Sequence, residues 1–333
     1  MLISRKEFLM TTAAALLAKR LPGDKKVMTI NGPISIGQLG RTLVHEHFLV
    51  DFIGADKISY DRWDRSVVLK KVLPFVLQAK QHGVKTMFDC TPAFLGRDAT
   101  LLKLICGETG MQVVTNTGYY GAVDNKFLPA HAFSETAAQI SQRWTREFEE
   151  GIEGTGVRPG FIKIGVNPGR LSDLHKKLVE AAAVTHKATG LTICSHTGKA
   201  PAAFEQMQLL EKLGVTSNAF VWVHAQDETD KNFYYKAIAQ GSWVSLDGIG
   251  WGKPDRYVDL LADLKSKKLL HRVLISHDAG WYKPGETGGG DFNAYTPIFE
   301  QVLPKLQARG FSAADIDQLL IKNPASAFAL ETL

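Results

Sequence analysis

The sequence has 333 residues, which is enough for two ordinary domains or for one large α/β barrel. Apolar residues make up 45% and charged residues 22%, which excludes a disordered or collagen-like chain, and no apolar run reaches the ~20 residues of a membrane span. The formal net charge of +5 is spread along the chain without a long basic run, so we expect neither nucleic acid nor membrane as a partner.

Residues 1–22 have the layout of an export signal. Positive charges near the start precede a short apolar stretch, Phe8–Ala18, which is too short to span a bilayer. The segment Ser4–Leu9 is similar to a twin-arginine signal whose second arginine is a lysine. The pattern predicts an exported, periplasmic protein whose residues 23–333 form a single domain. The alternative is an amphipathic amino-terminal helix of a cytoplasmic protein.

The rest of the chain predicts a (β/α)8 TIM barrel with a short N-terminal β-hairpin. The hairpin is centred on Asn31-Gly32 and is expected to cap the bottom of the barrel. Eight apolar, β-branched runs predict strands: Thr42–Phe48, Val84–Cys90, Gln112–Thr117, Phe161–Val166, Leu191–His196, Ala219–His224, Trp243–Leu246 and Arg272–Ser276. Helical patterns fill most of the gaps, from Val67–Gln81 to Arg256–Lys268, and Tyr295–Arg309 and Ala313–Leu320 would complete the outer ring. Buried strands that alternate with helices imply a parallel sheet, and eight such units imply a barrel.

Side chains that bind metals fall at the predicted carboxyl ends of these strands, where barrels carry their active sites. His45 and His47 are two residues apart, so both point to the same side of the first strand. His196, His224 and Asp278 end the fifth, sixth and eighth strands.

Lys163 lies between isoleucines in the fourth strand, where an unpaired ammonium group would be costly to bury. A neutral lysine amine can add carbon dioxide and become a carbamate that bridges two cations. With the four histidines and the aspartate, the modified lysine completes a ligand set for two metals.

The same constellation resembles the phosphotriesterase family of the amidohydrolase superfamily, which includes lactonases and phosphotriesterase homology proteins. The resemblance runs from about Met28 to Phe328. Its matching stretches are Gly40–His47, Gly96–Asp98, Thr117–Tyr120, Gly160–Lys163, His196–Gly198, Val223–Asp227, Leu246–Asp247, Ser276–Asp278 and Lys322–Ala325.

The resemblance implies two divalent metal ions, with zinc as the expected pair. His45, His47 and Asp278 would hold the more buried ion, and His196 and His224 the more exposed one. Lys163 as N6-carboxylysine and a hydroxide would bridge them, Asp278 would accept the proton, and Tyr120 would touch the hydroxide. Relatives are often dimers, which implies a homodimer.

One position departs from the family pattern. Phosphotriesterases carry a proton-relay histidine after the strand-seven aspartate, and lactonases carry an arginine there. Here the residue is Gly248, which supplies neither group, although Asp227 still matches the outer acid of the relay. The departure points away from both specialised groups and towards homologues that hydrolyse other esters or lactones.

Five residues are candidates for substrate contacts. Tyr119 and Tyr120 end the third strand, and Trp281 lies in a glycine-rich loop typical of a mobile lid. Lys253 and Lys283 could place positive charge beside an anionic substrate, or both could simply be solvated.

The sequence therefore predicts a metal-dependent hydrolase with a small-molecule substrate, a carboxylic ester or lactone, and with a side activity on phosphotriesters. An amidase or deaminase of the same superfamily is an alternative within enzymes. A non-catalytic binding protein on this fold is an alternative from another class, although the retention of all six ligands argues against it.

Overall fold

A computed structural model describes residues 25–330 of the chain. The predicted export signal, residues 1–22, lies outside these residues and stays a prediction. Within 25–330, no helix is both long enough and apolar enough to cross a membrane.

Twelve strands and eleven α-helices make up the described part of the chain. The strands are β1 (Lys26–Thr29), β2 (Gly32–Ser35), β3 (Arg41–Leu49), β4 (Val84–Asp89), β5 (Gln112–Val114), β6 (Asn116–Thr117), β7 (Phe161–Gly165), β8 (Ile193–His196), β9 (Phe220–Val223), β10 (Trp243–Leu246), β11 (Val273–Ile275) and β12 (Ala279–Tyr282). The helices are α1 (Arg65–Gln81), α2 (Ala99–Thr109), α3 (Ala130–Ser134), α4 (Ala137–Glu150), α5 (Asp173–Thr189), α6 (Ala200–Lys212), α7 (Asn232–Ala239), α8 (Pro254–Ser266), α9 (Leu303–Ala308), α10 (Ala313–Asp317) and α11 (Asn323–Ala327).

Parallel strands form the wall of an α/β TIM barrel, which confirms the predicted fold class. Six strands pair in the order β11-β10-β9-β8-β7-β6, and four pair in the order β12-β3-β4-β5. The predicted third strand is interrupted at Thr115, so its two halves, β5 and β6, belong to different sheets. On the other side of the wall, the backbone N–H of Asp278 donates to the carbonyl oxygen of His45 at 2.9 Å, beside the pairing of β12 with β3.

The hairpin of β1 and β2 closes the amino-terminal end of the barrel, as predicted. The two strands pair antiparallel from Lys26–Ser35 to Thr29–Gly32. Ile30 then donates its N–H to the carbonyl oxygen of Val113 at 2.8 Å, which fastens the hairpin to β5. Val27 on β1 is fully buried with Phe88, Phe161 and Phe328, so the bottom of the barrel is an apolar plug.

Two helices differ from the sequence prediction. The predicted helix over residues 134–150 begins only at Ala137, as α4, because Glu135 has an extended backbone and the Thr136 side chain caps the N-terminus; the short helix α3 lies before it and was not predicted. The predicted helix over residues 295–309 begins only at Ile298, with a π-helical turn before α9. Strand β12, which the sequence analysis did not predict, forms directly after Asp278 and pairs with β3.

Candidate metal centre

All six predicted metal ligands meet at the carboxyl-terminal mouth of the barrel. They line one cavity of about 460 Å³, and they are His45, His47, Lys163, His196, His224 and Asp278. His45 and His47 share β3, and Lys163 and His196 lie on β7 and β8. His224 directly follows β9, and Asp278 directly precedes β12. The parallel strands therefore bring these six positions together although they span more than two hundred residues of sequence.

Asp278 and His45 lie at the centre of the cluster. The carboxylate oxygen Oδ1 of Asp278 is 3.0 Å from His47 Nε2 and 3.5 Å from His45 Nε2. Lys163, only 2% exposed, places its Nζ 3.2 Å from the same His45 Nε2. The ligand atoms of His45, His224 and Asp278 all lie within 4.8 Å of one another, which is close enough for one cation to contact all three.

One buried carboxylate outside the cluster orients two of the histidines. Asp247, directly after β10, lies 3.0 Å from His45 Nδ1 and 2.8 Å from His224 Nδ1, and it is fully buried. A carboxylate only accepts hydrogen bonds, so both Nδ1 atoms carry the hydrogen and both Nε2 atoms keep a free lone pair. Gln226 supports Asp247 with two hydrogen bonds of 3.1 Å, one to its carboxylate and one from its N–H.

The other two histidines have outer partners as well. Thr91 Oγ1 lies 2.7 Å from His47 Nδ1 and donates its own hydrogen to the carbonyl oxygen of Leu49 at 3.0 Å. Thr91 must therefore accept from His47 Nδ1–H, which leaves His47 Nε2 free beside Asp278. The Tyr120 hydroxyl lies 3.1 Å from His196 Nδ1. In each imidazole the second nitrogen is thus left for the cavity.

The backbone at two of the ligands lies in the left-handed region. His224 has φ 59° and Asp278 has φ 53°, conformations that cost a non-glycine residue about 1–3 kcal/mol. Asp247 accepts the N–H of His224 at 3.2 Å, and the strand β3 accepts that of Asp278, so the surrounding structure holds both conformations. Such backbone strain is typical of functional sites, where the orientation of a side chain matters more than the stability of its backbone conformation.

The protonation states of several candidate ligands favour cation binding. Burial, followed by the charge of Lys163, lowers the pKa of His45 to about 4, and burial lowers the pKa of His196 well below its ordinary value. For Asp278, burial acts to raise the pKa, but His45 and His47 outweigh it and the pKa is lowered. Burial would also lower the pKa of His224, but Asp247 raises it overall. The ionised Asp278 carboxylate beside the neutral imidazoles of His45 and His196 forms a donor set that suits divalent metals such as zinc.

The sequence pattern of the family described as Phosphotriesterase family matches residues 25–328. The chain belongs to the phosphotriesterase family. It is 30% identical to the phosphotriesterase homology protein of Escherichia coli K12, over 89% of this chain and 100% of that protein. It is 25% identical to the N-acetyltaurine hydrolase of Xenopus tropicalis, over 90% of this chain and 96% of that protein.

A solved structure of this family superposes on the barrel. It is a triple mutant of the organophosphorus hydrolase from Deinococcus radiodurans, with a TM-score of 0.83, 25% identity, and coverage of 92% of this chain and 99% of that chain. The phosphotriesterase family, within the amidohydrolase superfamily, is one of binuclear metal enzymes that hydrolyse small molecules. The chain is accordingly a metal-dependent hydrolase, and its His/Asp cluster could hold a metal ion.

Of the five predicted substrate contacts, two line the cavity and three do not. Tyr120 and Trp281 line the cavity, and Trp281 packs against His47 with ring centroids 5.8 Å apart. Tyr119 does not line it, because neighbouring residues face opposite sides: its hydroxyl lies 2.9 Å from His131 Nε2, in the helix layer. Lys253 is exposed just before α8, and Lys283 forms an ion pair with Glu286 at 3.7 Å. Neither lysine lines the cavity, so the predicted positive charge does not come from them.

Sequence reasoning missed the role of Asp247. A carboxylate that directly follows the buried strand β10 was a usable signal, since such an acid must find a partner among the neighbouring strand ends. Its partners, His45 and His224, lie 202 and 23 positions away in sequence, and only the folded barrel shows that one carboxylate serves both.

Proposed function

We propose that the protein hydrolyses a carboxylic ester or lactone, with phosphotriester hydrolysis as a side activity. The observation that carries the proposal is the meeting of six predicted ligand side chains in one cavity, each histidine with one nitrogen bonded to an outer partner and the other turned to the cavity. When bound, a zinc pair would polarise the scissile group and supply a water molecule that is acidic enough to attack near neutral pH.

In this proposal, His45, His47 and Asp278 hold one cation, and His196 and His224 hold the other. Lys163 contributes as N6-carboxylysine: its amine nitrogen bonds to the carbon of carbon dioxide and releases one proton, which leaves a carbamate with two oxygen donors. The support is the burial of Lys163 and its environment, because His45 Nε2, at 3.2 Å, is the partner of its Nζ within residues 25–330. An ammonium group has three hydrogens to donate, so one partner leaves it poorly satisfied.

Asp278 is the group placed to accept the proton of the attacking water. Its lowered pKa keeps it ionised at neutral pH, and Oδ1 is already shared between His45 and His47. The second oxygen is left for the proton, which it can later pass to the leaving oxygen. Tyr120, hydrogen-bonded to His196, lies at the edge of the same cavity and would position the substrate carbonyl.

The walls of the cavity suit an apolar acyl group. Val50, Leu95 and Phe127 form a buried cluster against which Tyr120 and Trp281 pack. These side chains exclude water from the reacting atoms, which strengthens the electrostatic interactions there. Val50, Leu95 and Phe127 offer no hydrogen bond to the acyl chain, so the substrate portion that binds against them is hydrocarbon.

A second candidate is hydrolysis of a C–N bond. The similarity to N-acetyltaurine hydrolase favours it, since that relative is named for cleavage of an amide. Departure of an amine requires a proton on its nitrogen, and Asp278 is the acid that the cavity offers.

The test begins with metal content and a substrate panel. Purified protein should contain about two metal ions per chain and should hydrolyse lactones or esters faster than phosphotriesters or amides. Faster turnover of amides would establish the second candidate. Intact substrates across the whole panel, with metal fully loaded, would instead indicate a binding protein.

The variant Lys163→Ala tests the bridging ligand. It should lose bound metal and activity together, and short carboxylic acids such as propionate should restore part of both by taking the place of the carbamate. The matched control is Lys57→Ala, an exposed lysine in the loop after β3, which should keep both. Full metal loading in Lys163→Ala would contradict the carbamate.

We also propose that the protein is exported and that it forms a homodimer. Cell fractionation with and without residues 1–22 tests the first proposal, and light scattering of the purified protein tests the second. Recovery in the cytoplasm or a monomeric mass would contradict them.

A further inference from the structure

A second cavity, of about 730 Å³, adjoins the metal centre on the side of His196 and His224. It shares these two histidines, Asp278 and Trp281 with the first cavity. Its other lining residues come from the segments that follow β9 and β10, and they are Gln226, Asp227, Gly248, Trp251, Arg256 and Tyr257. The mouth of the barrel therefore has an apolar side and a polar side, with the metal ligands between them.

Gly248 makes room for the polar side. A Cβ atom at this position would lie 2.7 Å from the Tyr257 hydroxyl and 2.8 Å from Gln226 Nε2, both closer than real contacts allow. The two side chains thus occupy the space that a side chain at position 248 would need. Gln226 also forms hydrogen bonds with Asp247, the residue that orients His45 and His224. A side chain at position 248 would therefore displace a group on which the orientation of these histidines depends.

Arg256, in the first turn of α8, brings an unpaired positive charge to this cavity. Its guanidinium donates to the main-chain carbonyl oxygen of Gln226, and within residues 25–330 it forms no ion pair with a carboxylate. Other arginines of the same face differ: Arg62 is paired with Asp51, and Arg97 with Glu147. Nothing in the described chain therefore neutralises Arg256 by contact.

Tyr257 adds a free hydrogen-bond donor. Its side chain is only 2% exposed, yet within residues 25–330 its hydroxyl has no hydrogen-bond partner, although it borders the cavity. A hydroxyl that borders a cavity without a protein partner is suited to a hydrogen bond with a ligand or with water. The acidic residue of the cavity is Asp227. One of its carboxylate oxygens lies against Gly198, 3.2 Å from the position that a Cβ atom would take at that glycine.

We propose that the leaving group of the substrate carries an anionic substituent, which Arg256 and Tyr257 bind in this second cavity. The inference rests on the proposed function and names the substrate class: esters, lactones or amides with an apolar acyl part and an anionic leaving part. A guanidinium binds carboxylate, sulfonate or phosphate oxygens through parallel N–H donors, and the tyrosine hydroxyl supplies another. Trp251 and Trp281, with ring centroids 5.6 Å apart, provide an aromatic wall for the spacer.

We place the leaving part of the substrate on the polar side of the mouth because this side opens to solvent. Arg256, Asp227 and Trp251 are exposed, whereas Val50, Leu95 and Phe127 of the apolar side are buried. A product that departs through the polar side does not have to pass the buried walls. The other product, the acyl part that has become a carboxylate, lies against the apolar cluster until it leaves in turn.

The experiment compares two esters of similar shape, 4-acetoxybenzoate and 4-acetoxybenzamide, on the metal-loaded full chain. The anionic ester should have the higher kcat/KM, and Arg256→Gln should reduce this preference about tenfold, as expected for a charged hydrogen bond at an exposed site. Arg256→Lys should retain most of the preference, and Tyr257→Phe should reduce it a few fold. Arg146→Gln, the same change at an exposed arginine on α4, should leave it unaltered.

Each outcome separates this inference from the proposed function. Equal rates for the two esters, or an Arg256→Gln variant that slows both equally, would overturn the anionic leaving group while leaving the hydrolase intact. If neither ester is cleaved, the proposed function fails for these substrates, and calorimetry with the ketones 4-acetylbenzoate and 4-acetylbenzamide decides the inference. Binding that favours the anionic ketone and loses this preference in Arg256→Gln supports it, and any other binding result overturns it.

Discussion

The two ends of the barrel interior are built from the same strands but differ in chemistry. On β7, Phe161 and Lys163 lie on one face, two residues apart. At the amino-terminal end Phe161 packs against Phe88 and Phe328, with ring centroids 5.5 Å and 5.9 Å apart. At the carboxyl-terminal end Lys163 lies 3.2 Å from His45.

The comparison teaches that burial has different consequences at the two ends. Phenylalanines at the bottom need only close packing, whereas each buried polar group at the top needs a partner of the right kind. Asp247 meets that need for two histidines at once. We therefore expect changes at the top to affect metal and turnover, and changes at the bottom to affect stability with turnover retained.

The largest effect is expected for Asp278→Asn. The amide keeps the shape but cannot accept a proton from water at neutral pH, so kcat should fall by about 10²–10⁴ while KM changes little. Steady-state kinetics together with metal analysis measure this. A rise in KM with an unchanged kcat would mean that Asp278 only binds substrate.

Phe328→Ala tests the opposite end. The residue is 1% exposed and packs against Phe88 with ring centroids 4.4 Å apart, so its truncation should lower the free energy of unfolding by about 3–5 kcal/mol. Denaturant unfolding gives the value, and kcat below the transition should match that of the unchanged protein. The control, Phe133→Ala, concerns a side chain that is 54% exposed and should be close to neutral. A variant that stayed folded but lost turnover would show that the two ends are not separable.

Asp247→Asn should weaken metal binding about 10–100-fold, because an amide oxygen can replace only one of the two carboxylate acceptors and the NH₂ group then faces a second imidazole N–H. Competition with a chelator measures the affinity. Asp259→Asn, the same change at a side chain that is 58% exposed, is the control and should have no effect. Unaltered affinity in Asp247→Asn would mean that the histidines are oriented by packing alone.

The smallest effect is expected for Thr91→Val. It removes the hydroxyl that accepts from His47 Nδ1, while Asp278 and the strand β3 still hold the residue, so metal affinity should fall about tenfold, at the low end for an outer partner. The same chelator competition applies, and an effect larger than that of Asp247→Asn would reverse our ranking of the two outer partners.

Much of the fold and the ligand set could be predicted because both follow from local rules. Alternation along a strand places His45 and His47 on one side, and parallel strands collect their carboxyl ends at one face of a barrel. The same alternation rule, applied to Tyr119 and Tyr120, would have predicted that only one of them faces the cavity. Thr115, which divides the third strand, could not be recognised, because hydrogen-bond pairing between strands is not encoded in one segment.

The sequence by itself determined the barrel, the hairpin and the choice of six candidate ligands, since hydrophobic periodicity and side-chain chemistry are properties of short segments. The tertiary structure alone decided which groups serve those ligands and what surrounds them. In the folded barrel, Asp247 contacts two histidines and the Tyr119 hydroxyl contacts His131. Arg256 and Gly248 line the same cavity. These contacts join residues from different strands and loops, and their distances are fixed only when the whole barrel packs.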